Sequence, residues 1–166
     1  THYILHTTHI LHTKNILQTT KKQQTKNKKY KRKLNPNVFF IRIIRPSKHD
    51  FNPPHRDAYL NRLRSGVNIY IPICGSNKKS SLPIFPKSHK LKESKIERTN
   101  LNSSFNNLKF TVPTIIKTSP YLKLIRPNPR INQLLIFSPY LIHGGGINEN
   151  KNTTRVSIEL RFWRSN

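Results

Sequence analysis

RVSIELRF, residues 155–162, has the pattern of a strand with two unlike faces. Val156, Ile158, Leu160 and Phe162 alternate with Arg155, Ser157, Glu159 and Arg161. Successive side chains of an extended chain leave opposite faces, so the pleat separates an apolar set from a polar one. The apolar set is expected to enter a packed layer. The polar set has two destinations: solvent, the ordinary one, or the open mouth between the sheets of a jelly roll, where an arginine would meet an anionic ligand.

Similar runs recur upstream. VFFIRII at 38–44 and VNIYIPI at 67–73 are rich in β-branched and aromatic residues and predict strands, with shorter candidates at 83–85, 109–112, 121–125 and 134–137. The turn-forming stretches PSKHDFNPP, CGSNKKSS, RPNPR and HGGGINENKN separate them. Between residues 36 and 166 only 91–98 suggests a helix, and a short one. The sum is a mainly β domain over 36–166, a sandwich or jelly roll.

The first 35 residues have a different texture. THYILHTTHILHTKNILQTT is followed by KKQQTKNKKYKRK, nearly free of glycine and acids, and reads as a basic low-complexity tail without fixed structure. His2, His6, His9 and His12 would form one stripe on a helix and so could hold a metal, but nothing nearby supplies a second wall for coordination. The run at 21–33 is most simply a solvated arm; contact with nucleic acid is the sharper alternative, in keeping with 31 Lys and Arg against six acids and a net charge of +25. A single cysteine, Cys74, excludes a disulfide framework, favours a reducing, cytoplasmic setting and suggests a small core residue. No run reaches the roughly 18 apolar residues that span a bilayer, and no secretory signal core is present, so a soluble protein is expected. The chain has no Met and opens on Thr1, so its natural start is expected to be missing or processed.

Only two aspartates occur, and one of them, Asp57, lies in NPPHRDAY at 52–59, two positions after His55. Alternate residues of an extended segment point the same way, so His55 and Asp57 can offer an imidazole nitrogen and a carboxylate oxygen to one ion while Arg56 points away. His143, between the apolar run LLIFSPYLI and Gly144–Gly146, is the leading third ligand. Two histidines and a carboxylate on one face of an octahedron leave three positions open, the arrangement of non-haem Fe(II) oxygenases.

HRD at 55–57, SLPIFPKSHK at 81–90 and HGGGINENKNTTRVSIELRF at 143–162 together resemble the Fe(II)- and 2-oxoglutarate-dependent dioxygenases, in particular the phytanoyl-CoA dioxygenase-like branch. The resemblance covers roughly 36–164. It implies a double-stranded β-helix (jelly roll, cupin-like) with few short helices, in which His55, Asp57 and His143 hold iron. It further implies that Arg155 binds the far carboxylate of 2-oxoglutarate, assisted by the Ser157 hydroxyl, with Tyr70 and Asn68 beside the cosubstrate. In PKSHK, Lys87 replaces the family's glycine and His89 takes a structural role. The implied reaction uses O2 to decarboxylate 2-oxoglutarate and hydroxylate a substrate, most simply a small molecule; the retained Asp57 speaks against halogenation. Helices that usually precede the first strands in the family leave little sign here, so the chain is expected to be a fragment or a short form. Two rival readings accompany this one. Arg155 and Arg161 form an Arg-x5-Arg pattern like that of nucleic-acid demethylases of the same superfamily, although Ser157 and Glu159 depart from its middle positions. A basic arm ahead of a jelly roll is also the layout of small capsid proteins that neutralise packaged nucleic acid.

Overall fold

The computed structural model describes residues 8–12, 34–105 and 107–164. Among the described residues nine strands follow in chain order: β1 (Thr8–His12), β2 (Leu34–Ile44), β3 (Val67–Cys74), β4 (Ile96–Arg98), β5 (Ser104–Phe105), β6 (Leu108–Lys109), β7 (Ile115–Thr118), β8 (Gln133–Phe137) and β9 (Arg155–Arg164). Helical structure among the described residues is confined to 3₁₀ turns at Asp57–Tyr59, Asn61–Leu63, Ser88–Lys90 and Glu93–Lys95. No helix among those residues is long and apolar enough to cross a membrane.

The β-branched and aromatic runs build one antiparallel sheet of order β1-β8-β3-β9-β2. β9 lies between β3 and β2, with Ile158 opposite both Ile71 and Ile41, and Leu160 opposite both Ile69 and Phe39. These apolar residues face outward. Phe39, Ile41 and Ile43 on β2 are 57%, 60% and 58% exposed. The opposite face carries Tyr70, Leu135 and Phe137, which join Leu82, Ile84 and Leu141 in the buried core. Beside that core, the same inward face of β9 presents Arg155, Ser157 and Arg161, all buried, while Val156, Ile158 and Leu160 are only half-buried. The apolar set of β9 is thus not the one that enters the packed layer, and its polar set takes the second of its two destinations, the space between two layers, where it is the more buried.

The second layer is irregular. β4 pairs with β7, and the Ile115 N–H donates to Pro54 O at 2.7 Å, which joins β7 to the segment ahead of His55. Isolated antiparallel bridges continue the layer from His55 to His143, from His143 to Ile84 and from Ile84 to Ile125. Prolines at 53, 54, 83, 86 and 139 interrupt regular ladders, and 83–85 and 121–125 each contribute a single bridged residue, Ile84 and Ile125, rather than a strand. β5 and β6 form a separate two-stranded pair, so only Lys109 of the 109–112 candidate is in a strand. The short helix anticipated at 91–98 is one 3₁₀ turn followed by β4, whose residues pair with β7, a strand not foreseen.

Two further expectations need correction. Thr8–His12, inside the segment read as an unstructured tail, is extended and pairs with β8, so His9 and His12 are not on a helical stripe. His2, His6 and the 21–33 run lie outside the described residues. Cys74 is exposed rather than a core residue, since the pairing of β3 with β9 shifts register between Pro72 and Cys74 at the strand's end.

The loop entering β9 is fastened by Asn148, which is fully buried. Its Nδ2 donates to Ile44 O at 2.9 Å and to Thr153 O at 2.7 Å, and its Oδ1 accepts from the Asn150 N–H at 3.0 Å. Asn148→Ala leaves buried carbonyls without donors, at about 1–3 kcal/mol for each unsatisfied group. Urea unfolding of Asn148→Ala is therefore expected to show a loss of about 2 kcal/mol or more; a change within about 0.5 kcal/mol would contradict this role for the side chain.

Candidate metal centre

The extended backbone around NPPHRDAY sets the first part of the site. The His55 N–H donates to His143 O at 3.0 Å and the His143 N–H to His55 O at 3.1 Å, so the two segments hold each other in register. Arg56 is extended, with φ −111° and ψ 136°, which turns His55 and Asp57 to one side. The Arg56 guanidinium goes the other way, donating to Ser88 O, to Leu91 O at 3.1 Å and to Glu93 at 2.6 Å. Gly144 has φ +89°, and a Cβ there would lie 2.7 Å from Pro53 O. Only glycine meets both conditions, and the loop can then close over the histidines.

His55, Asp57 and His143 are 2%, 3% and 4% exposed, and their candidate ligand atoms all lie within 4.8 Å of one another. His55 Nε2 is 3.4 Å from Asp57 Oδ1, and His143 Nε2 is 3.8 Å from Asp57 Oδ2. The tautomers follow from the other ring nitrogens. His55 Nδ1 is 2.8 Å from Pro53 O and His143 Nδ1 is 3.0 Å from Leu141 O. A carbonyl only accepts, so each Nδ1 carries the hydrogen and each Nε2 presents a lone pair to the carboxylate. His55 Nε2 is buried with no hydrogen-bond partner. Two lone pairs and an anion that converge without a donor between them call for a cation.

A proton is a poor occupant near neutrality. Burial, chiefly, and the neighbouring His55 push His143 down to about 4 from its ordinary 6.5. Burial alone would raise the Asp57 carboxyl, but contact with His55 and the charge of Arg161 outweigh it and hold the group well below the usual carboxylate range. A carboxylate and two imidazole nitrogens are the donor set of a divalent transition metal. The Phe137 ring meets His143 edge-on at 4.9 Å and gives the site an apolar wall.

Of the other residues singled out in the sequence, Arg155 lines the same open pocket as His55, His143 and Gly144. It is 4% exposed; its Nη1 donates to Ser80 O at 2.9 Å, and its Nε has no partner. Its guanidinium lies 5.6 Å from the centre of the Tyr70 ring, a cation–π contact, and the Tyr70 hydroxyl is 3.1 Å from Ser76 Oγ. Ser157 is fully buried on the same strand face, and its Oγ has no partner. Asn68 is differently engaged: its Nδ2 donates to Asp57 Oδ2 at 2.7 Å. His89 is on the 3₁₀ turn Ser88–Lys90, outside the ligand cluster.

Sequence reasoning named Arg161 only on the polar face of the last strand and in the Arg-x5-Arg pattern, and missed its contact with the site: its Nε donates to the same Asp57 Oδ2 at 2.5 Å. It also missed the ion pair of Arg42 with Glu159, at 3.2 Å, on the pocket wall. The signal for both was the alternation of β9, which puts Arg155, Ser157, Glu159 and Arg161 on one face. What it lacked was the identity of the strands opposite.

No family model matches the chain, and no curated protein matches its sequence. Solved structures do match its fold. SnoK, a non-heme alpha ketoglutarate dependent carbocyclase from nogalamycin biosynthesis, superposes with a TM-score of 0.56 at 12% identity, over 76% of this chain and 48% of its own. AviO1 from Streptomyces viridochromogenes Tue57 gives 0.52 at 16% identity, over 78% and 51%. SnoN, a non-heme alpha ketoglutarate dependent epimerase from nogalamycin biosynthesis, gives 0.51 at 10%, over 77% and 48%. The chain spans about half the length of these proteins. The shared architecture is the double-stranded β-helix, or cupin-like jelly roll, here mainly β with few short helical turns.

The lowered value for His143 has a consequence for the metal-free chain. In the window from 6.5 down to about 4 the unfolded chain takes up the proton before the folded one does. The stability tied to neutral His143 is therefore fully present above the upper limit and is lost as the pH falls toward the lower one. Urea unfolding in the presence of a chelator is expected to show stability falling by up to about 1.4 kcal/mol per pH unit in that window, with the slope reduced in His143→Asn. An equal slope in both proteins would contradict a buried, neutral His143.

Proposed function

We propose that the chain is an Fe(II)- and 2-oxoglutarate-dependent oxygenase that acts on a small molecule. The observation that carries this reading is Arg155, a buried cation with no ion-pair partner among the described residues, on the wall of a pocket that the two histidines also line. A buried charge without a counter-ion is costly, so the pocket is suited to an anionic ligand. The fork of a guanidinium suits a carboxylate. A dicarboxylic keto acid would meet Arg155 at one end and the metal at the other.

His55 and His143 would hold the metal through Nε2, and Asp57 through a carboxylate oxygen. When bound, iron and 2-oxoglutarate would supply the oxidising chemistry, decarboxylation of the keto acid by O2 coupled to oxidation of a substrate C–H bond. The protein's own contribution is positional. Pro53 O and Leu141 O fix the imidazole tautomers, Tyr70 backs the Arg155 guanidinium, and the free Ser157 hydroxyl is available to the same carboxylate. Hydroxylation is the preferred outcome, since a carboxylate ligand is retained at Asp57 where halogenating relatives make room for halide. The phytanoyl-CoA dioxygenase-like branch is the best match to the HRD, PKSHK and HGGG stretches. SnoK and SnoN, described as alpha ketoglutarate dependent enzymes of nogalamycin biosynthesis, support a small-molecule substrate and also a wider range of outcomes than hydroxylation. The demethylase reading is weakened because Arg161, its second arginine, is engaged by Asp57.

The test is the 2-oxoglutarate requirement. Arg155→Ala removes both charge and fork, and Arg155→Lys keeps the charge alone. A charged hydrogen bond contributes about 1.5–3 kcal/mol, so Arg155→Ala is expected to raise the apparent 2-oxoglutarate constant roughly ten- to a hundred-fold, with Arg155→Lys also impaired and iron affinity little changed. An unchanged constant in Arg155→Ala would move the cosubstrate elsewhere.

A further inference from the structure

We propose that Arg161 is a positioning residue of the metal centre, which together with Asn68 occupies Asp57 Oδ2 and leaves Oδ1 alone to bind the ion. The inference rests on the reading of His55, Asp57 and His143 as metal ligands. Arg161 on β9 is directly opposite Asn68 on β3, and both residues point inward. Their donors reach one oxygen, Arg161 Nε at 2.5 Å and Asn68 Nδ2 at 2.7 Å. A carboxylate oxygen has two lone-pair directions, so two donors saturate it. The other oxygen, Oδ1, faces His55 Nε2 at 3.4 Å.

The contact is built for aim as well as charge. Arg161 reaches Asp57 through Nε, the nitrogen nearest the backbone, rather than through the ends of the fork. Its guanidinium carbon lies 5.2 Å from the centre of the Phe40 ring, which fixes the plane of the group. Asp57 is 90% or more out of water and sits at the start of a 3₁₀ turn, with no other donor to hold Oδ2 among the described residues. Without Arg161 only Asn68 holds Oδ2, and the carboxylate is less restrained from rotating and offering both oxygens.

Two substitutions separate aim from charge. In Arg161→Gln the amide nitrogen stands the same number of bonds from the backbone as the arginine Nε and donates without charge. In Arg161→Lys the charge is kept but the donor stands one bond farther out. The probe is Co(II), followed by its d–d absorption during titration of the full chain, with His143→Ala as the control and thermal unfolding to establish that each variant is folded. Outer partners of metal ligands are worth roughly ten- to a hundred-fold in metal affinity. Arg161→Ala and Arg161→Lys are expected to bind Co(II) more weakly by that factor with an altered d–d envelope, and Arg161→Gln to bind close to the parent chain.

A folded Arg161→Ala that binds Co(II) like the parent, with the same spectrum, overturns the proposal. So does rescue by Arg161→Lys without rescue by Arg161→Gln, which would assign the effect to charge. Where Arg161→Ala does not fold, the Gln and Lys variants decide between the same outcomes. If the parent chain itself fails to bind Co(II), the metal centre fails and this inference with it. If the parent binds and His143→Ala does not, a null result at position 161 sinks the positioning role alone.

Discussion

The reciprocal hydrogen bonds between the backbones of His55 and His143, at 3.0 and 3.1 Å, fix everything that the site can do. They bring a proline-braced segment and a glycine loop side by side and set the two imidazoles with ring centres 4.4 Å apart. With Pro53 O and Leu141 O accepting from Nδ1, both Nε2 lone pairs are left facing one ionised carboxylate. Arg161 and Asn68 meet only Oδ2, so the imidazole lone pairs and Oδ1 still lack a partner, and a divalent ion with three protein ligands keeps positions open for other groups.

The two layers divide the work. The irregular layer supplies both histidines, because a segment bridged at one residue, with prolines and glycines around it, can bring functional side chains inward without the constraint of a regular ladder. The regular sheet supplies the supports. Asn68 and Arg161 face each other across β3 and β9 and hold Asp57, while Arg155 farther along β9 marks the anion end of the pocket. One strand with period-two polarity therefore serves both ends of a single site, with Ser157 and Glu159 between them.

Much of this was legible in the sequence. Strands at 38–44, 67–73, 134–137 and 155–162 were visible because β-branched and aromatic residues are bounded there by turn formers, and they became four of the five strands of the main sheet. The cluster of His55, Asp57 and His143 was legible because period two across HRD dictates a shared face and HGGG dictates a tight turn. The polar face of β9 was left with two destinations, solvent or the mouth between the sheets, because alternation separates two faces without saying which of them meets solvent. In this chain the oily face of β2 and β9 is turned outward, with Phe39, Ile41 and Ile43 more than half exposed. For Asn68, the contact with Asp57 was not legible for a related reason. Its position on the Tyr70 face was correct, but its partner depends on the β3–β9 register, which places it opposite Arg161 and over Asp57. β1 was hidden by the low complexity around Thr8–His12, whose Ile and Thr content suits a strand only once β8 is there to pair with it.

The most direct measurement is an anaerobic titration of the purified chain with Fe(II) and 2-oxoglutarate, followed by visible absorption. If the histidines, Asp57 and Arg155 form one centre, a weak charge-transfer band should appear only when both are present and saturate at one equivalent of each. Binding of iron with no such band on addition of 2-oxoglutarate, or failure to bind iron at all, would contradict the account.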